Sequence, residues 1–221
     1  MGTANNAFFS SFNPLSIFEK GTFSTVQHFR KGDYIFQLNE SIDYLYYIQQ
    51  GRVKIINYSE QGKELTRAIY HAEECFGELG LVGVERHRGF AVAMEDTTLQ
   101  VASIGAMKQK MRENPGLQWF ILQTIGARVV EMERRLESLT FRSSRSRIIE
   151  YLLHLVDKRG QRVGYEMLVR GFLTHQDIAN MTATSRQTVT TILNELRSRN
   201  LLTFDRRRLL IRDVDKLRTE V

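Results

Sequence analysis

Residues 173–197 read LTHQDIANMTATSRQTVTTILNELR, and the fold turns on the spacing within that stretch. Thr174 suits an N-cap, because its hydroxyl can accept from a backbone N–H two or three residues on. Ile178 and the small Ala179 follow on one side of the helix it would open, where a second helix can cross closely. Residues 181–183 form the expected turn, and Thr184 or Ser185 caps what comes next. Val189, Ile192, Leu193 and Leu196 stand at i, i+3, i+4 and i+7, a buried helical face. Arg186, Gln187, Thr190, Thr191 and Asn194 point the other way. That polar face suits a DNA major groove: arginine bonds guanine O6 and N7 in bidentate fashion, and glutamine does the same for adenine N6 and N7. Arg186 and Gln187 sit at the helix's N-terminal end, the end that meets base edges in helix-turn-helix proteins. Ser185, Thr188 and the Arg206-Arg207-Arg208 turn are the expected phosphate contacts, which set register without reading sequence, and Thr174 is counted with Arg207 among the DNA-binding residues. The plainer alternative is a helical hairpin whose polar face meets water.

The surroundings favour DNA. Two short apolar runs, 201–204 and 209–211, flank Asp205-Arg206-Arg207-Arg208 and predict a hairpin with a basic tip. A short strand is expected at 166–169 after a loop near 160–164, and Ile148, Ile149, Leu152, Leu153, Leu155 and Val156 mark an amphipathic helix. The net charge of +6 is concentrated here: residues 142–221 carry 16 Lys+Arg against 9 Asp+Glu, whereas 1–112 carry 12 of each. Residues 113–141 carry 3 against 4. A basic region joined to a neutral one points to a polyanion-binding module attached to something else.

Upstream, runs rich in Val, Ile, Tyr and Phe recur at 26–30, 34–37, 44–49, 52–58, 65–70, 90–94 and 99–104. Gly32, Gly51 and Gly62 separate several of them, as tight turns require. These predict a small β-sandwich or barrel, with the residues through Phe23 packed as short helical segments outside it. From Pro115, a good first helical residue, Leu122, Ile125, Val129, Met132, Leu136 and Leu139 follow at alternating spacings of 3 and 4. Such a seam suits a two-helix coiled coil between subunits, the alternative being a helix laid across its own barrel. Residues 140–146 turn polar and read as a hinge.

Composition excludes several classes. The single cysteine, Cys75, rules out a disulfide framework and a multi-thiolate metal site. No run approaches the length of a membrane span, and residues 1–14 do not read as a signal peptide, so a cytoplasmic protein without membrane contact is expected. No nucleophile–base–orienter set, metal-ligand cluster or phosphate loop appears, so no enzyme and no metal site are expected. His28, His71 and His87 stand in no recognisable haem motif.

In order and spacing, Gln50-Gly51-Arg52-Val53-Lys54-Ile55, Phe76-Gly77-Glu78-Leu79-Gly80-Leu81 with Arg88 downstream, and Thr184-Ser185-Arg186-Gln187-Thr188-Val189 resemble the cyclic AMP receptor protein/FNR family of bacterial transcription regulators. The resemblance covers nearly the whole chain. It implies an α+β fold: an N-terminal cyclic-nucleotide-binding-like β-jelly-roll in 1–112, a long dimerisation helix in 113–141, and a C-terminal winged helix-turn-helix in 142–221. It also implies a homodimer on a near-palindromic double-stranded operator, RNA polymerase as a partner, and a cassette for a small anionic effector at Phe76, Gly77, Glu78, Leu79 and Arg88. Glu78 would accept from a sugar hydroxyl, and Arg88 would pair a phosphate or carboxylate.

The departures bear on the effector. Cyclic AMP binders carry serine after the cassette arginine, where this chain has Gly89, and a Thr-Ser pair where it has Met132 and Glu133. Arg88, Arg128 and Glu133 are similar to the set of the 2-oxoglutarate-responsive nitrogen regulator of cyanobacteria, although Arg128 also has a counterpart in cyclic AMP binders. The effector stays open between 2-oxoglutarate, cyclic AMP, another anion and none, the last meaning an effector-independent regulator with a vestigial pocket. The N-terminal cysteine cluster of the family's oxygen sensors has no counterpart in 1–30. At the DNA end, Arg186 keeps a guanine contact, while Gln187 and Thr191 replace a glutamate and a second arginine and predict a different half-site.

Overall fold

The computed structural model describes residues 24–205 and 207–221. The helical segments expected through Phe23, and Arg206 of the basic turn, lie outside the described residues. The chain divides into two compact units, one ending at Val130 and the other Glu131–Val221.

The first unit is two four-stranded antiparallel sheets built from β1 (Ser24–Phe29), β2 (Tyr34–Phe36), β3 (Tyr44–Gln50), β4 (Arg52–Tyr58), β5 (Glu64–His71), β6 (Cys75–Phe76), β7 (Phe90–Ala93) and β8 (Thr97–Ser103). Their orders are β1-β8-β3-β6 and β2-β7-β4-β5. The seven expected strands are present, and Gly32, Gly51 and Gly62 all have positive φ. At Gly51 the close approach of Asp96 and Thr97 also excludes a side chain, since a Cβ would stand 2.8 Å from the Asp96 carbonyl oxygen. The strand that sequence reading missed, β6, is two residues long, too short for any alternation to show, and exists only through its pairing with Tyr46 and Tyr47. Alternate residues of β3 point to two different clusters. Leu45 and Tyr47 pack with Cys75, Met107, Leu117 and Ile121, while Tyr46 and Ile48 pack with Phe36, Val53, Phe76 and Leu99.

Helix α1 (Ile104–Glu113) is capped by Ser103, whose side chain accepts from the Ala106 N–H. Helix α2 (Pro115–Phe141) begins on the expected proline, and Asn114 Oδ1 accepts from the Leu117 N–H at 3.0 Å. The division between the units falls within α2. Its first half buries Leu117 and Ile121 and leans Ile125 on the first unit's core, so that stretch does lie across its own barrel. Further along the seam Met132 is 60% and Leu136 67% exposed.

The second unit opens with α3 (Ser144–Arg159), capped by Ser143. The expected hinge contracts to Arg142 and Ser143, the break between two helices. Strands β9 (Gln161–Val163) and β10 (Glu166–Arg170), helices α4 (His175–Thr182) and α5 (Arg186–Ser198), strands β11 (Leu202–Phe204) and β12 (Arg208–Ile211), and helix α6 (Val214–Arg218) complete it. The sheet order is β11-β12-β10-β9. The loop expected near 160–164 is corrected: 161–163 is a strand, turned back by Gly164 at φ 63° and held by pairing with β10. Its three exposed residues, Gln161, Arg162 and Val163, are too few to show an apolar alternation, so the partner strand alone makes it a strand.

Candidate functional site

The α4–α5 pair is built from its caps inward. Thr174 accepts from the Asp177 N–H, and Asp177 reaches back to the Thr174 N–H, a reciprocal capping box. Ala183 ends α4 in the left-handed region at φ 50°. Two arginines hold the carbonyls around that turn: Arg135 Nη2 donates to Met181 at 2.8 Å, and Arg147 Nε donates to Thr182 at 2.9 Å. A cation at a helix C-terminus also complements the helix dipole. Ser185 caps α5 by accepting from the Thr188 N–H at 3.0 Å. Val189, Ile192, Leu193 and Leu196 are all buried, which fixes the opposite face outward.

On that face Arg186, Gln187, Thr191 and Asn194 are exposed. Thr190 stands apart. Its hydroxyl donates to the Arg186 carbonyl at 2.9 Å and lies 2.8 Å from His175 Nδ1, so its donor is already engaged. Ser185 and Thr188 share a hydroxyl–hydroxyl bond of 2.8 Å at the helix mouth. In the β11–β12 hairpin, Asp205 Oδ1 accepts from the Arg207 N–H at 2.7 Å, and Oδ2 accepts from Arg208 Nε at 2.8 Å. The carboxylate that shapes the basic turn thus pairs with Arg208, while Arg207 stays exposed. Those backbone and guanidinium donors hold the Asp205 carboxyl below the usual carboxylate range.

The far end of α5 is clamped as well. Glu220 accepts from Arg199 at 2.5 and 2.6 Å and from Arg145 at 2.9 Å, while Arg145 also bonds Glu195 at 2.7 Å. The two guanidiniums hold the Glu220 carboxyl down to about 2. These clamp residues, and Arg135 and Arg147, were invisible to sequence reading, because arginines this common announce no partner 21 or more residues away.

In the first unit Gly77 takes φ 90°, where a Cβ would stand 2.5 Å from the Tyr44 carbonyl oxygen, so only glycine fits there. It opens a 3₁₀ turn, Glu78–Val82, that delivers Glu78 inward, 3% exposed. Glu78 Oε1 pairs with Arg128 Nη1. Arg128 also donates to the Cys75 carbonyl, and its guanidinium sits 4.7 Å above the Tyr70 ring. Tyr70 in turn stacks on Phe76 at 5.7 Å. Glu78 Oε2 is buried with no hydrogen-bond partner among the described residues. Two expected site residues, Glu78 and Arg128, are thereby brought together. The Phe76 ring belongs to the core, Leu79 is exposed on the turn, and Glu133 is exposed in the second unit.

Arg88 is exposed, and its carbonyl accepts from Asn57 Nδ2 at 2.8 Å and Arg67 Nη1 at 3.1 Å. Beside it a Cβ on Gly89 would stand 2.7 Å from Asn57 Oδ1 and 2.8 Å from the Ile56 carbonyl oxygen, which excludes a serine without backbone movement. Tyr70, under the Arg128 cation, is the member of this cluster that sequence reading missed. Burial pushes the Cys75 thiol up to about 12, a larger cause than the neighbouring Glu74 carboxylate. His87 is buried and stacked on Phe36 at 3.4 Å, and His28 bonds Thr98 at 3.1 Å. Among the described residues no group of three or more His, Cys, Asp or Glu could hold a metal ion, and no helix is long and apolar enough to cross a membrane.

Residues 26–114 match the Cyclic nucleotide-binding domain family and residues 146–220 the Crp-like helix-turn-helix domain family. The chain is 30% identical to the Global nitrogen regulator of Synechocystis sp. over 84% of each chain. It is 25% identical to the CRP-like cAMP-activated global transcriptional regulator of Mycobacterium tuberculosis, over 86% of this chain and 84% of that one. Among solved structures, a CooA mutant from Carboxydothermus hydrogenoformans superposes with a TM-score of 0.80 at 24% identity, covering 96% of each chain.

Proposed function

The chain belongs to the Crp/Fnr family of DNA-binding transcription regulators, and from that premise we propose a homodimeric, sequence-specific regulator switched by a small hydroxyl-bearing anion at Glu78, Arg88 and Arg128. The observation that carries the DNA reading is the first turn of α5, where Arg186 and Gln187 are exposed above a fully buried apolar face. Arg186 reads a guanine, Gln187 and Thr191 read neighbouring bases, and Ser185, Thr188 and Arg207 hold phosphates. The exposed Met132, Leu136 and Leu139 support α2 as the seam between subunits, with a functional division into sensor 1–112, seam 113–141 and DNA-binding head 142–221. Two heads then meet successive major grooves of a near-palindromic operator. RNA polymerase as a partner, a cytoplasmic setting and the lack of catalysis come with this reading.

For the effector, the pairing of Glu78 with Arg128 favours a ligand with both an anionic group and a hydroxyl. A bare dicarboxylate such as 2-oxoglutarate would bring a second negative charge to a buried carboxylate and offer nothing to its unpartnered Oε2. A cyclic-nucleotide-like ligand offers a hydroxyl to Glu78 and a phosphate to Arg88. Gly89, Met132 and Glu133 remove the other cyclic AMP anchors, so a different base or sugar is expected. The effector acts only by binding one arrangement of the heads better than the other.

That Arg128 already neutralises Glu78 also suits the second reading, an effector-independent regulator. Titrating cyclic AMP, cyclic GMP, sugar phosphates and 2-oxoglutarate while following operator affinity decides between them. A response to a hydroxylated anion that is lost in Arg88→Ala supports the effector reading. Full operator binding by the apoprotein, unchanged by every ligand and by Arg88→Ala, establishes the second.

A further inference from the structure

His175 is the first residue of α4, beside the face that α5 turns toward DNA, and no part of the base-reading scheme uses it. Its Nδ1 lies 2.8 Å from Thr190 Oγ1 on α5. Thr190 Oγ1 also lies 2.9 Å from the Arg186 carbonyl oxygen, to which its hydroxyl donates along the helix. In that arrangement Thr190 accepts from His175, and the ring carries its proton on Nδ1 even when neutral. Nε2 is then the nitrogen that titrates. Phe204 of β11 meets the ring edge-on at 5.5 Å and is itself covered by Arg197 at 5.1 Å. From α5 the charged neighbour is Arg186; on α4 the nearby carboxylate, Asp177, is engaged with the Thr174 hydroxyl at 2.6 Å.

We infer that His175 is a positioning residue for the recognition helix and a proton-gated phosphate contact, so that operator binding takes up a proton at Nε2. The inference rests on α5 entering the major groove. In that docking the first helix of the pair crosses the sugar–phosphate backbone, and a residue at its N-terminus faces phosphate oxygens. The Nδ1–Thr190 bond orients the ring and ties the start of α4 to the first turns of α5. Once Nε2 is protonated, the ring adds a charge-assisted donor toward the backbone.

The sign follows from the two environments. In the free protein, burial first and the Arg186 guanidinium second hold the imidazole below its usual value. A phosphate anion raises it in the complex. Affinity is then greatest below the free-state value, falls as pH rises through the interval between the two, and is flat above the complex value. Each pKa unit of separation corresponds to about tenfold in affinity per head.

The test is operator affinity from about pH 5.5 to about 8.5 for the full-length wild type, His175→Asn and His175→Leu, with Arg186→Ala alongside. Asparagine keeps an N–H near the Nδ1 position and does not titrate. Expected are a wild type that tightens by about tenfold per head toward acid, a flat His175→Asn that matches it at the alkaline end, and a His175→Leu weakened throughout. A wild-type slope retained in His175→Asn overturns the inference, as does a neutral Nε2–H tautomer in the ¹⁵N spectrum. If Arg186→Ala loses base selectivity while the wild type shows no pH slope, the groove assignment stands and the His175 inference falls. If no DNA is bound at any pH, both fall.

Discussion

The buried cluster at Glu78 and the exposed first turn of α5 handle charge on opposite terms. In the first unit Glu78 and Arg128 neutralise each other's charge, although Glu78 Oε2 stays without a hydrogen bond among the described residues, and Arg128 is further held by the Cys75 carbonyl and the Tyr70 ring. On α5, Arg186 and Gln187 remain exposed, and the residue whose hydrogen bonds are already made, Thr190, is the one turned toward α4. A face that reads bases must keep its donors available, because the base edges supply the partners. A buried site cannot leave a charge unanswered, so any ligand there competes with contacts the protein already makes.

The largest expected effect tests the buried side. Arg128→Ala strands a carboxylate that is 3% exposed and should cost about 3–5 kcal/mol of stability, read as a lower urea midpoint. Glu78→Leu combined with it should recover most of that loss. A cost within experimental error for Arg128→Ala would break the contrast. On the exposed side, Arg186→Ala should lose about 1–3 kcal/mol at one base position, with relaxed specificity there and little change in stability. Thr190→Ala should weaken all operators alike. Equal losses on operator and random DNA for Arg186→Ala would remove it from the reading face.

Smaller still, Arg207→Ala should weaken binding uniformly and reduce the slope of log affinity against log salt by about 1. The smallest effect concerns the clamp at the far end of α5. Glu220 is held from 4.5 in the free residue to about 2. Its stabilisation is complete above about 4.5 and is lost as the carboxyl protonates on the way down to about 2. Thermal melts over that range should show the wild type losing stability faster than Glu220→Gln.

Where a feature was local, the sequence spoke clearly. Thr174, Ser185 and the four apolar residues of α5 each act within a turn or two, so the caps and the buried face were legible from spacing. The glycine turns were legible for the same reason, since positive φ is a property of one residue. The apolar period of α2 was legible only in outline: nothing in the spacing says that Ile125 leans on the barrel core while Met132 and Leu136 stay exposed.

Residue type and period thus sufficed for the helices of the winged helix-turn-helix and for the barrel strands, because those follow from short-range backbone preferences and the segregation of apolar from polar faces, whereas Glu78, Arg88 and Arg128 were singled out only by resemblance to the family's cassette. Pairing was another matter. That Glu78 closes on Arg128, that Arg135 and Arg147 hold the turn of α4, that Thr190 is committed to His175, and that 161–163 is a strand all depend on which distant atoms meet. Hydrogen bonds and ion pairs act over a few ångströms in space with no regard to separation along the chain, so only the folded arrangement says which charges answer each other and which stay free for a ligand.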